Sequence, residues 1–575
     1  MIQYAIAFPE PHTHLYHVTL TIETPAPTLD LHLPVWTPGS YMVRDYARHV
    51  ERFAASTGGH DCTWEKTDKS TWCVTCTTPE TLIITYQVYA FDLTVRTSHL
   101  DATHAYFNPA TLCMYTPALM HTPHRMTIQA PDAWQVTTGL ARATDGAFVA
   151  QDYDELVDSP FEIGTHRLFT FTVHDIPHEI ALWGTGNEDP ARIVRDTERV
   201  VETAATMFGG LPYTRYVFLL HLVDGAYGGL EHRNSVTNIV DRWSFRSARG
   251  YERFIALMSH EFFHVWNVKR IRPQPLGPFD YQRENYTREL WAMEGMTSYY
   301  DNLILLRAGL TTREHYLEWL ADDILKQEAL PGRSIQNLET SSFDAWIKYY
   351  RQDENSANSS VSYYLKGSLV ALLLDLGIRA QTAGTYSLDD VLRRLYAQVT
   401  TTNAGYDESS AIRQIVEQIT EHDWGAFFAD YVRGTAELDY RSALASVGLG
   451  MAWGHARTSA EGAPAWHGLT LRGEYGHSKV LAVRRDGPGI AAGIYAGDEI
   501  IAIDGTRADE YRLNERVAER RPGDTVVLSV FRRDMLLHIP LTLAVAPPDT
   551  LRLLPDPAAT PEQIARRQEW LGGTG

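Results

Sequence analysis

The sequence lacks the features of membrane, nucleic-acid-binding and secreted proteins. It has no run of 18 apolar residues, which is about the length that a membrane-spanning helix requires. Its net charge of −20 argues against binding to nucleic acids or anionic membranes, which both need a basic surface. The first residues have no basic stretch followed by an apolar one, so they indicate a strand rather than a signal peptide. We therefore expect a cytoplasmic protein with no nucleic-acid or membrane partner.

Cysteine is scarce, with four in 575 residues. Cys73 and Cys76 form a C-x-x-C pattern, a spacing that occurs in metal and redox sites. The neighbouring Thr and Trp residues favour a strand, however, and no second C-x-x-C follows. We interpret the two as a buried or edge pair of reduced thiols.

The length and the hydrophobic patterns predict several domains of a multidomain α+β protein. Residues 1–170 contain partly alternating runs rich in Thr, Val and Tyr, which are typical of an all-β domain. Residues 171–450 are mainly helical, with a short sheet around residues 215–240. Residues 451–465 have little periodicity and are expected to be a linker. A β pattern follows in residues 466–547, and residues 548–575 form a tail with a short helix.

The segment His260-Glu261-Phe262-Phe263-His264 carries the strongest chemical pattern. Apolar residues recur at helical spacing around it, so it is predicted to be helical. His260 and His264 then lie one turn apart on the same face and can bind one metal ion. Glu261 projects from the same turn and can reach a metal-bound water. This arrangement is typical of a zinc hydrolase.

A catalytic zinc site needs a third protein ligand, and Glu294 is the best candidate. It opens a second apolar helix that runs to about Leu306. The segment between the two helices is rich in Pro and Gly, which predicts a loop long enough for the second helix to fold back beside the first. The expected site therefore holds one Zn²⁺ per chain on His260, His264 and Glu294, although other divalent ions also accept this ligand set.

The motifs H-E-F-F-H-x-W-N and W-x-x-E-G-x-T-S-Y-Y resemble those of the gluzincin metallopeptidases. They are most similar to the glycyl aminopeptidase family, whose members carry a C-terminal PDZ domain. The segment Trp36 to Tyr46 resembles part of that family's first domain, and Lys479 to Gly505 strongly resembles a PDZ domain. The resemblance implies a β-sandwich-like N-terminal domain, a thermolysin-like, mainly helical catalytic domain and a C-terminal PDZ domain.

The resemblance also implies two further functional residues. Gly228-Gly229-Leu230-Glu231-His232 is similar to a segment whose glutamate binds the free α-amino group of the substrate. Glu231 would take that role, and Gly228 and Gly229 would let a ligand approach the backbone. His232 stands where Asn is usual, and the residues alone are equally compatible with a surface turn.

Tyr364 matches a tyrosine that stabilises the oxyanion by donating a hydrogen bond. Tyr363 competes for this role, and packing of the tyrosine ring at a helix start is the structural alternative. Glu261 would act as the general base on the activated water.

The predicted function is that of a zinc aminopeptidase acting on peptides with a free N-terminus. The resemblance implies small first residues, Gly or Ala. Three alternatives stay open: a PDZ-guided zinc endopeptidase, a binding protein with PDZ and β domains beside a vestigial zinc site, and a non-peptidase zinc hydrolase such as an epoxide hydrolase. The PDZ domain either binds a peptide ligand, with its carboxylate-binding loop near Gly468 to Leu471, or only packs on the catalytic domain. None of these interpretations fixes an oligomeric state.

Overall fold

The computed structural model describes residues 2–23, 25–76, 80–402, 404–456, 463–474 and 477–572. The chain forms two compact units, each assembled from segments that are distant in sequence. The first unit contains Met1–Thr287, Tyr300–Leu310 and Leu392–Ala411. The second unit contains Arg288–Tyr299, Thr311–Val391 and Ile412–Gly575.

The N-terminal part of the first unit is rich in β-strands, which confirms the predicted fold class of this region. Its elements are the strands β1 (Ile2–Ala7), β2 (Leu15–Ile22), β3 (Thr28–His32), β4 (Val50–Thr57), β5 (His60–Asp61), β6 (Thr63–Lys66), β7 (Thr71–Thr75), β8 (Leu82–Tyr89), β9 (Ser98–Leu100), β10 (His104–Phe107), β11 (His124–Gln129), β12 (Gln135–Thr138), β13 (Ala141–Arg142), β14 (Phe148–Ala150) and β15 (Phe161–Gly164), with the short helix α1 (Tyr153–Val157).

Three sheets share the core of this region. An eight-stranded sheet runs in the order β13-β14-β11-β1-β2-β8-β4-β5, a three-stranded sheet in the order β3-β7-β6, and a four-stranded sheet in the order β12-β15-β10-β9. Tyr4 and Ile84 from the first sheet, Trp72 from the second and Phe107 from the third belong to one buried cluster. Side chains of facing sheets fill one core, as in a β-sandwich.

A five-stranded sheet follows and carries part of the candidate site. Its strands are β16 (Arg167–Val173), β17 (Ile176–Trp183), β18 (Tyr216–Val223), β19 (Tyr227–Glu231) and β20 (Ser235–Asp241), in the order β16-β17-β18-β20-β19. Strand β18 is parallel to β17 and β20 and buried along nearly its whole length, which explains its continuous apolar sequence. The sheet is larger than the predicted one, and β16 crosses the boundary predicted at residue 170.

Two helices complete this part of the first unit, α2 (Pro190–Phe208) and α3 (Ala248–Phe263). The side chain of Ser247 caps α3 by accepting a hydrogen bond from the backbone N–H of Gly250. Helix α3 buries Phe254, Met258 and Phe262 and packs against β19 and β20. The helix ends at Phe263, so the H-E-x-x-H segment forms its last turn, with His264 as the C-cap.

The chain from residue 288 to 445 is helical, as predicted. A π-helical turn (Trp291–Gly295) leads into the first helix of this stretch. The helices are α4 (Met296–Arg307), α5 (Arg313–Glu328), α6 (Leu338–Phe343), α7 (Ser356–Ser359), α8 (Leu365–Gln381), α9 (Leu388–Thr402), α10 (Ala411–Thr420), α11 (Gly425–Phe427) and α12 (Tyr440–Ala445). Among the described residues, no helix combines the length and the hydropathy needed to cross a membrane.

The C-terminal region returns to β structure, as predicted. It contains β21 (Leu449–Gly454), β22 (Ala465–Trp466), β23 (Leu469–Glu474), β24 (His477–Val483), α13 (Pro488–Ala491), β25 (Glu499–Ile503), β26 (Thr506–Arg507), α14 (Glu510–Ala518), β27 (Thr525–Arg532), β28 (Met535–Thr542), β29 (Ala544–Val545), β30 (Thr550–Pro555) and α15 (Pro561–Trp570). The main sheet runs in the order β23-β24-β25-β27-β28, and its core includes Val480, Ile500 and Leu528.

The regions predicted as linker and tail contain two paired strands in addition to the predicted short helix. Strand β21 covers the first residues of the predicted linker and pairs antiparallel with β30, which lies in the predicted tail; residues 457–462 of that linker lie outside the described residues. The tail then forms α15, which buries Trp570 and places its indole N–H 2.8 Å from the Tyr299 hydroxyl. A strand whose partner lies about a hundred residues away leaves little trace in local periodicity.

Candidate metal and substrate site

The last turn of α3 brings His260 and His264 together, as their spacing predicts. Their ring centroids are 4.8 Å apart. His264 Nδ1 lies 2.6 Å from the backbone oxygen of Asn267, and His260 Nδ1 lies 3.3 Å from Asp301 Oδ2. Because a carbonyl or carboxylate oxygen can only accept, each Nδ1 carries the proton and each Nε2 carries the lone pair that a metal requires. The two histidines therefore fit a metal-binding role.

Asp301 is held in position by α3, the helix that carries His260. The Ser259 hydroxyl donates a hydrogen bond of 2.9 Å to the backbone oxygen of Asp301. Ser259 directly precedes His260, so the backbone of Asp301 is tied to α3 beside the ring that its carboxylate orients. Such outer contacts set the tautomer and direction of metal-binding imidazoles.

Glu261 lies against the backbone of β19. A Cβ atom on Gly229 would overlap the Glu261 carboxylate, so only glycine at this position admits it. Gly229 and Glu231 lie two residues apart on the same face of the strand. Side-chain ligand atoms of Glu231, Glu261 and His264 all lie within 4.8 Å of one another. Glu231, Glu261 and His264, which are all predicted site residues, thus lie together. Gly229, which was expected to let a ligand approach, instead makes room for the Glu261 side chain.

Glu231 is buried beside a cavity. Its Oε1 atom accepts no hydrogen bond within the described part of the chain. Gly39 adopts φ 84°, and a Cβ atom there would lie 2.7 Å from either carboxylate oxygen, so the N-terminal domain closes over one side of Glu231. The adjoining cavity of about 550 Å³ is lined by residues that include Trp36, Gly39, Tyr41, Asp158, Glu231 and Lys269. A buried carboxylate oxygen beside such a cavity is suited to bind a cationic group.

His232, which stands where Asn is usual in the similar segment, contacts a buried ion pair. Its Nδ1 lies 3.3 Å from Asp158, and Lys269 Nζ lies 2.6 Å from the same oxygen. Burial acts to raise the pKa of Asp158, but the charge of Lys269 and the contact with His232 outweigh it and lower this pKa to about 2. Asp158 is therefore ionised and holds both side chains at the cavity wall.

The second unit holds Glu294 and Tyr364. Glu294 lies in the π-helical turn and is buried. A Cβ atom on Gly295 would lie 2.5 Å from Gly367 Cα, and one on Gly367 would lie 2.8 Å from the backbone oxygen of Trp291. These two glycines let the turn and the start of α8 touch backbone to backbone. The same backbone contact thus explains the glycine of the E-G pattern and the glycine of the Y-x-K-G pattern.

Tyr364 directly precedes α8. Burial and the negative charge of Glu294 raise the pKa of Tyr364 well above its usual range, so its hydroxyl keeps its proton and can donate a hydrogen bond. Tyr363, the competing residue, is fully buried, whereas Tyr364 is partly exposed; the rings of both pack against Tyr349, with centroids 4.7 Å and 5.2 Å away. The surroundings favour Tyr364 for a hydrogen-bonding role.

Gly39, Asn267 and Asp301 contact the candidate site residues, and the sequence motifs did not predict these contacts. Gly39 lies within the Trp36 to Tyr46 segment, whose resemblance to the family's first domain carries no residue role. Asn267 is the last residue of H-E-F-F-H-x-W-N, and Asp301 follows W-x-x-E-G-x-T-S-Y-Y directly. These residues lie within or next to the motifs, and that position could have indicated them. A backbone oxygen can accept a hydrogen bond in any residue type, however, so the contact of Asn267 could not be predicted from its side chain.

Family models match three parts of the chain. They are the peptidase M61 N-terminal domain at residues 3–165, M61 glycyl aminopeptidase at residues 253–370 and a PDZ domain at residues 467–543. The second range includes His260, Glu261, His264, Glu294 and Tyr364, whereas Glu231 lies outside the matched ranges. No curated protein matches the chain.

Solved structures extend the similarity over the whole chain. An aminopeptidase N family protein from Idiomarina loihiensis is 33% identical, has a TM-score of 0.93, and is matched over 99% of this chain and 100% of that chain. An M1 zinc metallopeptidase from Deinococcus radiodurans is 16% identical, with a TM-score of 0.49 over 76% of this chain and 94% of that chain.

Proposed function

The chain belongs to the M61 glycyl aminopeptidase family and is a metallopeptidase of the aminopeptidase type; from this premise we propose that one zinc ion is held by His260, His264 and Glu294. The Nδ1 contacts that present both histidine Nε2 atoms support the proposal, since two imidazoles and a carboxylate form a frequent catalytic zinc set. Bound zinc would supply Lewis acidity, which polarises a carbonyl and acidifies water.

Glu261 is proposed as the general base. Its carboxylate would take a proton from the attacking water and deliver it to the nitrogen of the leaving amine. The packing of Glu261 against Gly229, next to His264, supports this role because it limits the positions open to the carboxylate.

The observation that carries exopeptidase activity is the buried Glu231 Oε1 beside the cavity. We propose that it binds the α-ammonium group of the substrate. The carboxylate lies near Glu261 and His264, so an ammonium group held there would leave the first peptide bond next to the general base. One residue would then be released at a time.

Tyr364 is proposed to stabilise the oxyanion of the tetrahedral intermediate. A raised pKa suits this task, because the phenol must keep its proton to donate it. We also propose that the released residue is small, Gly or Ala. The family description supports this preference, as does the close approach of Gly39 to Glu231 and Leu230.

The test is a set of fluorogenic aminoacyl amides of Gly, Ala, Leu and Phe, each assayed with and without a zinc chelator. We expect rapid release from the Gly and Ala substrates, loss of activity with the chelator and recovery on adding Zn²⁺. An N-acetylated peptide should resist cleavage. Equal cleavage of free and acetylated peptides would exclude the Glu231 anchor and favour an endopeptidase. Glu231→Gln tests the same step, and it should raise KM for free peptides.

The PDZ domain is proposed to bind a peptide as an added strand. Strand β23 is at one end of the sheet order, α14 contacts it, and Gly468 precedes it with φ 73°. The cytoplasm is our proposed location, and four free cysteines agree with a reducing compartment. Binding of C-terminal peptides to the intact protein, followed by fluorescence anisotropy, would test the peptide ligand.

A further inference from the structure

Cys62 and Cys76 face each other in the N-terminal region. Cys62 lies between β5 and β6, and Cys76 directly follows β7. Strands β6 and β7 are antiparallel with Thr63 opposite Thr75, so one further step in the register sets Cys62 opposite Cys76. Their sulfur atoms are 3.3 Å apart. The two thiols therefore form a cross-strand pair.

The backbone geometry at this pair suits a covalent link. The N–H of Cys62 donates to the oxygen of Ala55, and that of Cys76 donates to the oxygen of Pro27, both at 2.8 Å. Neither amide is directed at the other cysteine, which is the pattern of a non-hydrogen-bonded pair. In such pairs the Cα atoms approach to about 4.5 Å, inside the range that disulfides span.

The other two cysteines are excluded by direction and burial. Cys73 and Cys76 lie three residues apart along an extended chain, so their side chains point to opposite faces. Cys73 stands between Asp30 on β3 and Glu65 on β6. Cys113 is fully buried in the core. Cys73 and Cys76 are free thiols, as expected from the C-x-x-C segment, but Cys62 rather than Cys73 faces Cys76.

We propose that Cys62 and Cys76 are a modification site that a small disulfide of the glutathione class oxidises to an intramolecular disulfide. The Cys62 thiolate attacks one sulfur of the small disulfide, whose S–S bond breaks and releases one small thiolate. Cys76 then loses its proton to solvent and attacks the Cys62 sulfur, which releases the second small thiol. Two protein thiols are oxidised, and one small disulfide is reduced to two thiols.

The order of the two steps follows from exposure. Cys62 is partly exposed, whereas Cys76 is buried with 5% of its surface accessible. Burial and the nearby Cys62 thiol raise the pKa of Cys76 to about 11, so Cys76 is slow to start an exchange. Cys62 therefore reacts first. The closed loop contains β6 and β7, and the crosslink restricts the unfolded chain.

The experiment treats the full-length protein with oxidised glutathione, blocks free thiols under denaturing conditions and maps the peptides by mass spectrometry. We expect a bridged peptide pair containing Cys62 and Cys76, with Cys73 and Cys113 alkylated, and a higher Tm that returns to the reduced value with dithiothreitol. Four alkylated cysteines, a stable glutathione adduct on Cys62 or a bridge that includes Cys73 would overturn the proposal.

Two variants keep the outcome decisive. Cys73→Ser should form the same bridge with the same rise in Tm. Cys76→Ser should instead accumulate a glutathione adduct on Cys62 and show no rise in Tm. Unchanged circular dichroism spectra of the reduced variants establish that both fold. A bridge lost in Cys73→Ser would contradict the assignment.

Discussion

Two buried clusters of histidine and glutamate in the first unit differ in the hydrogen bonds that their side chains make. One contains His264, Glu261 and Glu231 at the end of α3, and the other contains His104, Glu162 and His221. In each set the possible ligand atoms lie within 4.8 Å of one another. Residue type and proximity alone therefore do not separate the cluster that contains a proposed metal ligand, His264, from the one that does not.

The Nδ1 atoms of the histidines distinguish the two clusters. His264 Nδ1 bonds to the backbone oxygen of Asn267, so its Nε2 is presented as a ligand. The Nδ1 atoms of His104 and His221 are buried and have no hydrogen-bond partner within the described residues. Metal-binding histidines almost always engage their second nitrogen, so the second cluster lacks the support of a metal site.

The Nε2 atoms of His104 and His221 support the same conclusion. His104 Nε2 lies 2.8 Å from Glu162 Oε1, and His221 Nε2 lies 2.7 Å from Glu162 Oε2, so each histidine donates to one carboxylate oxygen. Trp183 stacks on His104 with ring centroids 4.0 Å apart. We interpret this cluster as a hydrogen-bonded link between β10, β15 and β18. The comparison teaches that the contacts around a cluster, rather than its composition, identify a metal site.

The largest expected effect separates catalysis from structure. Glu261→Gln should lower kcat by about 10²–10⁴-fold, because the amide cannot take a proton from water. Zinc content should stay at one ion per chain by mass spectrometry of the metal, since Glu261 is not a ligand. The matched variant Glu162→Gln should keep its kcat per folded molecule. Undiminished activity in Glu261→Gln would remove Glu261 from the mechanism.

The next effect concerns folding. Glu162→Gln leaves His104 and His221 facing a neutral amide that can accept from only one of them, and breaking a buried pair costs about 3–5 kcal/mol. Urea denaturation should show this loss of unfolding free energy, while Glu261→Gln should unfold close to the wild type. If Glu162→Gln instead released one of two bound metal ions, the second cluster would be a metal site.

The sequence predicted the helix that carries the H-E-x-x-H segment, because helical spacing alone places His260 and His264 on one face. It also predicted the β-rich regions, whose alternation reflects one buried face. The His104, Glu162 and His221 cluster had no such pattern, since its members come from three strands that meet through strand pairing and sheet packing. The pairing of β21 with β30 and of Cys62 with Cys76 likewise depends on tertiary register.

A smaller effect tests the support of His260. Asp301→Asn replaces a charged acceptor by a neutral side chain, and loss of such a contact typically weakens metal binding about 10–100-fold. Competition with a chromogenic zinc chelator measures the change. Asp101→Asn is the control, because Asp101 contacts His99 Nε2 at 3.2 Å outside both clusters. Equal zinc affinity in Asp301→Asn and the wild type would show that Asp301 does not position the ligand.

The smallest expected effect is the pH dependence of stability. Burial acts to raise the pKa of Glu162, but His104 and His221 outweigh it and hold this pKa well below its usual range. The unfolded chain, whose glutamates titrate near pH 4.3, therefore takes up this proton first on acidification. The resulting stabilisation is present above about pH 4.3 and is lost as the pH falls through the folded pKa.

A second group adds to this loss at higher pH. Burial lowers the pKa of His166, which lies beside Glu162, so protonation favours the unfolded chain below about pH 6.5. Unfolding free energies measured from pH 7 to pH 3 should thus fall in both the wild type and Glu162→Gln between pH 6.5 and 4.5. Below pH 4.5, only the wild type should lose further unfolding free energy through protonation of Glu162. Parallel curves down to pH 3 would mean that Glu162 has the same pKa in the folded and the unfolded protein, and the hydrogen bonds inferred for the second cluster would be wrong.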